Sequence, residues 1–233
     1  MSANHAAFNL IFRFVENYVS PIAGRISSQR HVMAIRDGFI SAMPFMIVGS
    51  FLLVFAYPPF SPDTTWGFAR AWLDMAKQFE GQILTPFDMT MGVMSLYICA
   101  AIAYNLGKHY VKTHQLDPFM CAMLSLMAFL LVAAPKTKGA LPVDSLGGTG
   151  IFTAILVAIY CVEMMRFLKV HNIGIRLPDQ VPPMIKNSFD LLIPVLVVVL
   201  TLYPLSLLIQ SQFGMLIPQA IMSIFKPLVS AAD

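Results

Sequence analysis

The sequence predicts an all-α integral membrane protein with about five transmembrane helices. Of its 233 residues, 58% are hydrophobic and only 12% are charged, and the mean hydropathy is +0.72. The chain therefore has too little polar surface to coat a soluble globule. Its apolar runs approach the roughly 20 residues that a helix needs to cross a bilayer. A segment in lipid must satisfy its own backbone hydrogen bonds, and these runs lack the alternation of barrel strands, so the spans are predicted to be helical.

Polarity divides the chain into three parts. Residues 1–37 contain an amphipathic helix (residues 4–23) followed by a polar cytoplasmic segment. Residues 38–209 form the predicted five-span transmembrane domain, and residues 210–233 form an amphipathic C-terminal segment. The helices of the first and last parts are expected to lie along the membrane interfaces, because each carries one apolar face.

Five apolar runs account for the five spans. Between the first two, residues 58–81 predict an interfacial helix anchored by Trp66 and Trp72. Before the fourth, the glycine-rich residues 135–150 predict a flexible connection. No Lys-Ser or Lys-Thr pair follows the glycine cluster of this segment and no strand precedes it, so we reject a phosphate-binding loop. The predicted spans are residues 38–57, 84–105, 118–134, 151–168 and 189–209.

Small residues recur every four positions in the second span. Ser95, Cys99, Ala103 and Gly107 form a ridge on one helical face. Small side chains allow two helix backbones to approach closely in a membrane. The pattern therefore predicts a tight helix-packing surface, either within the chain or between subunits.

One acidic side chain, Glu163, lies inside the fourth span, and Arg166 follows it by three residues. An ionised group at mid-bilayer costs about 3 kcal/mol on insertion scales. The spacing from i to i+3 allows the two side chains to pair on one helix. We expect a structural ion pair, and the alternative is a proton or substrate role.

The distribution of cations predicts the orientation. With the N-terminus inside, ten Lys and Arg residues lie in the inner segments and five in the outer segments. Short cytoplasmic loops carry the excess of positive charge in membrane proteins. The sequence therefore predicts a cytoplasmic N-terminus and a C-terminus on the outer side.

The most polar segment between two apolar runs connects the fourth and fifth spans. Its prolines and charges predict a rigid inner loop that acts as a gate or as a partner-binding surface. A positively charged loop that only fixes topology is the alternative, and it explains the cations but not the prolines and the aspartate. The candidate residues are Arg176, Pro178, Asp179, Pro182, Pro183 and Lys186.

No pattern in the sequence indicates catalysis. Paired carboxylates, a nucleophile elbow and zinc-ligand spacing are all missing, so we predict no catalytic residue, cofactor or metal. No long basic face indicates a nucleic-acid partner. A multi-span protein with proline-broken helices and a long inner loop most often moves a solute. The residues alone thus indicate a component of a transporter or channel.

Four segments carry a resemblance to a known family. They are HVMAIRDGFISAMPFMIVGSF, MGVMSLYICAAIA, SLGGTG and IRLPDQVPPMIKNSFDLLIP. They resemble the membrane subunit, enzyme IIC, of phosphotransferase-system sugar transporters of the lactose, cellobiose and diacetylchitobiose family. The resemblance runs from about His31 to Leu228.

The resemblance implies a multi-pass protein of the bacterial inner membrane that imports a β-linked disaccharide while a IIB subunit phosphorylates it. It also implies a homodimer. Members of the family are roughly twice as long: an N-terminal half of five spans forms much of the dimer interface, and a C-terminal half binds the sugar. The chain is expected to correspond to the N-terminal half only, to be incomplete for transport alone, and to need a C-terminal half as a partner. On this basis no residue here inherits a catalytic or sugar-binding role.

Two other functions remain open from the sequence. The chain could be a non-transporting structural or regulatory membrane protein derived from such a permease. It could also be an autonomous small transporter or membrane enzyme, which has the least support because an isolated half lacks the convergent polar groups that a sugar needs.

Overall fold

The computed structural model describes residues 16, 20–135, 141–175, 178, 180, 182, 185 and 189–230. Its helices, in chain order, are α1 (Ser20–Ser27), α2 (Arg30–Ala56), α3 (Gly67–Asp88), α4 (Met94–His114), α5 (Pro118–Ala133), α6 (Ile151–Val170), α7 (Leu192–Phe213) and α8 (Ile217–Ser230). This architecture confirms the predicted all-α class. Most of the predicted N-terminal helix lies outside the described residues.

Among the described residues, three helical segments are long and apolar enough to cross a membrane. They are α2, residues Gly148–Val170 and α7, and α5 is a shorter apolar helix. The predicted number of five spans thus stays a prediction. The three segments differ in the share of residues that are buried inside the chain. Within an apolar stretch of 18 residues in each, this share is 44% for Gly148–Val170 but only 17% for α2 and 22% for α7. The last two therefore leave broad apolar faces for lipid or for other protein.

Helix α2 begins earlier than its apolar run suggests. The predicted span starts at residue 38, whereas the helix starts at Arg30. The Gln29 side chain caps this start, because its Oε1 accepts a hydrogen bond from the Val32 amide at 2.9 Å. Hydropathy marks only the most apolar part of a helix, and α2 begins about two turns before that part.

The predicted second span, residues 84–105, is wrong as a continuous helix. Residues up to Asp88 belong to α3, and α4 begins only at Met94. Between them the chain folds so tightly that a Cβ on Gly92 would lie 2.5 Å from the Asp88 carbonyl oxygen. Glycine permits this turn, and hydropathy alone does not register it. The interfacial helix predicted within residues 58–81 correspondingly extends to Asp88.

Helix α4 is the centre of the bundle and packs against α2, α5 and α6. The four ridge residues are all buried inside the chain: Ser95, Cys99, Ala103 and Gly107. A Cβ on Gly107 would lie 3.0 Å from the Pro118 Cα atom in α5. On another face, a Cβ on Gly38 of α2 would lie 2.4 Å from Ile102 Cγ1. Small residues thus set the spacing of α4 from two neighbours.

The glycine-rich segment before α6 is packed, which corrects the expectation of a flexible connection for its described part. The Ser95 amide donates to the Leu146 carbonyl at 2.9 Å, and the Ser95 hydroxyl donates to the Gly147 carbonyl. Leu146 is 4% exposed. A Cβ on Gly150 would lie 2.1 Å from the Ser145 carbonyl oxygen. These glycines serve close packing against the start of α4.

An aromatic cluster gathers at the end of α2 that is remote from Arg30. Trp66 and Trp72 both contact the Phe60 ring, with ring centroids 5.7 Å apart in each case. The Trp72 indole donates to the Phe55 carbonyl at 3.1 Å. Nearby, the Tyr57 hydroxyl donates to Glu80 at 2.9 Å, and this hydrogen bond raises the pKa of Tyr57 above its ordinary value. The cluster fixes α3 against the end of α2.

We expect Ala103→Leu to lower the yield of folded protein and its melting temperature. Ala103 is 0% exposed, and inserting three carbons into a closed helix contact costs about 1–3 kcal/mol. Thermal unfolding in detergent, followed by size-exclusion fluorescence, measures the effect. The matched control is Val111→Leu on the same helix, where the side chain is 41% exposed. Equal melting temperatures for the two variants would contradict the tight packing of the ridge.

Candidate functional site

The candidate site is built around Glu163, in the last two turns of α6. The carboxylate Oε2 accepts a hydrogen bond from Arg166 Nη1 at 2.6 Å. The i to i+3 spacing places both side chains on one face of the helix. Their side chains are 28% and 33% exposed, respectively, so the pair lies at the border of the bundle rather than in its core.

Two residues from other helices complete the arrangement. His31, in the first turn of α2, lies with its Nε2 atom 2.8 Å from Glu163 Oε1. Tyr110, near the end of α4, donates its hydroxyl to the same carboxylate oxygen. Three donors on three helices therefore converge on one carboxylate. We call His31, Tyr110, Glu163 and Arg166 the polar cluster.

Cations cover the Tyr110 ring in this cluster. The guanidinium carbon of Arg30 lies 5.2 Å from the ring centroid, and that of Arg166 lies 5.1 Å from it. A cation within about 6 Å of an aromatic face is attracted by the ring quadrupole. The His114 ring meets the Tyr110 ring edge-on, with centroids 5.4 Å apart. Tyr110 thus links two arginines to the carboxylate and is 1% exposed.

The chemical capacity of the polar cluster is to hold α2, α4 and α6 together at one end of the bundle. Hydrogen bonds to a charged group contribute about 1.5–3 kcal/mol each when they are shielded from water. Because the Glu163 side chain is more than a quarter exposed, the lower end of that range applies. A cavity of about 440 Å³ runs beside the cluster along α6, lined by Tyr160, Glu163, Met164, Arg166, Phe167, Val170 and His171.

The sequence identified half of this cluster. The proximity of Glu163 and Arg166 follows from helical spacing, and the structure brings the two together. His31 and Tyr110 were missed, because they lie 132 and 53 residues away from Glu163 along the chain. Both residues fall in polar segments next to the predicted spans 38–57 and 84–105, and many residues share that position.

The predicted gate or partner loop is described only in part. Pro178 and Pro182 lie in it as non-helical residues. Arg176, Asp179, Pro183 and Lys186 lie outside the described residues. Lys169, at the end of α6, precedes the loop, and Asp190, before α7, follows it. The Lys169 Nζ atom lies 2.5 Å from Asp190 Oδ2. This ion pair brings together the two chain segments that flank the loop.

The fold and the polar cluster together define a polytopic helical membrane protein whose central helix is enclosed by its own chain. The family model described as "Phosphotransferase system, EIIC" matches residues 36–231. The chain therefore belongs to the phosphotransferase-system EIIC family, and this family and the apolar helices place it in a membrane.

Curated relatives agree with this assignment. The chain is 37% identical over 206 residues to a cellobiose-specific EIIC component of Geobacillus stearothermophilus, covering 80% of this chain and 43% of the relative. It is 32% identical to a lactose-specific EIICB component of Lactococcus lactis subsp. lactis, covering 91% and 37%. It is 33% identical to the lichenan permease IIC component of Bacillus subtilis, covering 87% and 46%. The chain thus spans less than half the length of these relatives.

A solved structure shares the fold. The crystal structure of the transporter ChbC, the IIC component of an N,N'-diacetylchitobiose-specific phosphotransferase system, superposes with a TM-score of 0.79. The two chains are 32% identical, and the match covers 94% of this chain and 52% of ChbC. The helical arrangement described above is therefore that of about half of an EIIC transporter.

We expect Glu163→Gln to lower the melting temperature in detergent. The uncharged amide offers one acceptor oxygen in place of two, and its NH₂ group would face a donor from His31, Tyr110 or Arg166. Loss of such a shared acceptor costs about 1–3 kcal/mol. The control is Asp37→Asn, which removes the exposed pair with Arg36 on α2 and should change stability by less than about 0.5 kcal/mol. A Glu163→Gln protein as stable as this control would show that the cluster does not hold the helices together.

Proposed function

We propose that these 233 residues are the N-terminal, dimerising half of a phosphotransferase-system permease that imports a β-linked disaccharide such as cellobiose or diacetylchitobiose. The observation that carries the proposal is the match to ChbC over 94% of this chain and only 52% of that transporter. A stretch with its own enclosed core that matches about half of a transporter is suited to serve as a scaffold. Its enclosed core is α4 with the helices around it.

Transport on this proposal requires the remaining length found in the relatives, whether it is joined to this chain or supplied by another. Among the described side chains, Glu163 and Lys169 are already engaged in ion pairs within the chain. A disaccharide site needs several convergent hydrogen-bonding groups and a concave surface. The remaining part is expected to supply both.

The choice of sugar rests on the relatives. Their names refer to cellobiose, lactose and lichenan, and ChbC belongs to a system specific for diacetylchitobiose. Cellobiose, lactose and diacetylchitobiose are β-linked disaccharides. We therefore propose that class as the substrate.

Two protein partners follow from the same comparisons. Several relatives are lactose-specific EIICB components, so a IIB unit is joined to the EIIC unit in them. We propose a IIB subunit as the phosphorylating partner here. We also propose a homodimer, supported by the large exposed apolar faces of α2 and α7, on which Phe51 is 63% and Leu200 is 63% exposed.

We expect cells that express only residues 1–233 to take up no labelled cellobiose or diacetylchitobiose. A chimera that appends the unmatched remainder of the Geobacillus cellobiose-specific component, expressed with its IIB subunit, should restore uptake. The host must lack its own transporters for these sugars. The matched control is the appended remainder expressed alone.

Two results would contradict the proposal. Uptake by the 233 residues alone would show that they transport without the remaining length. A chimera that reaches the membrane but gives no uptake would favour the alternative, a structural or regulatory protein that carries nothing.

We further propose a bacterial inner-membrane location with the N-terminus in the cytoplasm. The excess of Lys and Arg in the segments assigned to the inner side supports this orientation. The polar cluster would then lie near the cytoplasmic interface, and the aromatic cluster near the outer one.

We expect a cysteine placed at Ser28 to react with a membrane-impermeant maleimide only after the cells are opened, and one placed at Ser61 to react in intact cells. The native Cys99, Cys121 and Cys161 are buried and serve as the unlabelled background. The reverse pattern of labelling would overturn the orientation.

A further inference from the structure

We propose that His31 Nδ1 is a proton-binding site that controls the elbow between α1 and α2. The inference does not depend on the proposed function. It rests on a chain of hydrogen bonds that runs from the start of α2 through Gln29 and His31 to Glu163 on α6.

The first link fixes the orientation of the Gln29 amide. The Val32 backbone N–H can only donate, and it points at Gln29 Oε1 from 2.9 Å. The oxygen of the Gln29 amide is therefore committed to the helix cap. Its nitrogen, Nε2, then lies 2.5 Å from His31 Nδ1. An amide nitrogen can only donate, so His31 Nδ1 must accept.

The second link fixes the tautomer of His31. With Nδ1 acting as an acceptor, the ring proton sits on Nε2 and is donated to Glu163 Oε1 at 2.8 Å. His31 is thus held as a neutral imidazole. The hydrogen bond on one ring nitrogen sets the role of the other, as is general for histidine.

A proton added to Nδ1 has no place in this arrangement. It would face the Gln29 NH₂ group, so that two donors would oppose each other. Rotating the Gln29 amide by a half turn would present Oε1 to the imidazolium, but it would then turn NH₂ toward the Val32 N–H. Proton binding at His31 therefore removes the side-chain cap of α2.

The site is surrounded by both signs of charge. The Glu163 carboxylate, paired with Arg166, faces His31 from α6. From α4, Tyr110 donates to the same carboxylate oxygen, and the Tyr110 ring contacts His114 of α4 and Arg30 of α2. The His31 side chain is 26% exposed, so water can deliver the proton.

The elbow is the element that responds. Gln29 joins α1 to α2 through its backbone. The Gln29 backbone N–H donates to the Ile26 carbonyl at 3.1 Å, and the Gln29 backbone carbonyl accepts from the Met33 N–H at 2.9 Å. When the hydrogen bond from the Val32 N–H to Gln29 Oε1 is lost, only backbone hydrogen bonds hold the first turn of α2. Acidification is therefore expected to loosen the junction, while the attraction between His31 and Glu163 keeps α2 beside α6.

Hydrogen exchange of the full chain in nanodiscs tests this proposal. After correction for intrinsic exchange, amides of the peptide containing residues 29–34 should lose about fivefold in protection between about pH 7.5 and pH 5.5, the change expected for the loss of one helix cap. His31→Gln should abolish this pH difference. Gln29→Glu should also abolish it, because a carboxylate accepts from the Val32 amide and from a protonated Nδ1 together.

The control is His171→Gln, which removes the histidine that directly follows α6 and lies outside this chain of bonds, and it should keep the wild-type response. Should His31→Gln fail to fold, the ¹⁵N shifts of histidine-labelled wild-type and Gln29→Glu proteins give the answer. The wild type should show one ring in the neutral form with its proton on Nε2 at pH 7.5. Equal protection at the two pH values, or a pH response retained by Gln29→Glu, would overturn the proposal.

Discussion

The close approach of α4 to its neighbours is the constraint on which the rest of the bundle depends. In a bilayer, helices gain little from burying apolar surface against one another, so van der Waals contact and hydrogen bonds hold them together. Between α4 and the adjoining helices, Gly38 leaves no room for a Cβ, and a Cβ on Gly107 would be tightly confined. Ser95 fastens the other end of α4 to the segment that leads into α6.

The polar cluster exists because of this spacing. Tyr110 reaches Glu163 from α4 while His31 reaches it from α2, and both reaches are possible only when the three helix axes lie close together. The small residues in the middle of the bundle and the hydrogen bonds at its end are thus two parts of one packing solution. Wider spacing between the helices would separate His31 and Tyr110 from Glu163, the acceptor that they share.

Local patterns were sufficient for the fold class and for many helices, but not for the turn at Gly92. Hydropathy measures how well a segment partitions into lipid, and both sides of that turn are apolar. The break depends on a backbone path that only glycine follows, which hydropathy does not record. Similarly, the glycines at 147 and 150 read as flexible because glycine is common both in mobile loops and in tight contacts. Only the neighbours, such as Ser145 and Ser95, decide between the two.

One contact of the candidate site could be predicted from the sequence, and the others could not. The contact of Glu163 with Arg166 is set by the helix repeat, and one sequence contains all that is needed to predict it. The contacts of His31 and Tyr110 depend on which helices are neighbours and on their rotation about their axes, and neither property is encoded within a short window.

The aromatic cluster has an optical consequence. The chain contains two tryptophans, and Trp66 and Trp72 sit on the same phenylalanine ring at one end of α2. The tryptophan fluorescence of the protein therefore originates from a single region, at the opposite end of α2 from His31. The wavelength of tryptophan emission and its quenching report on the local environment of that region alone, so the unmodified chain carries its own probe of this end of α2.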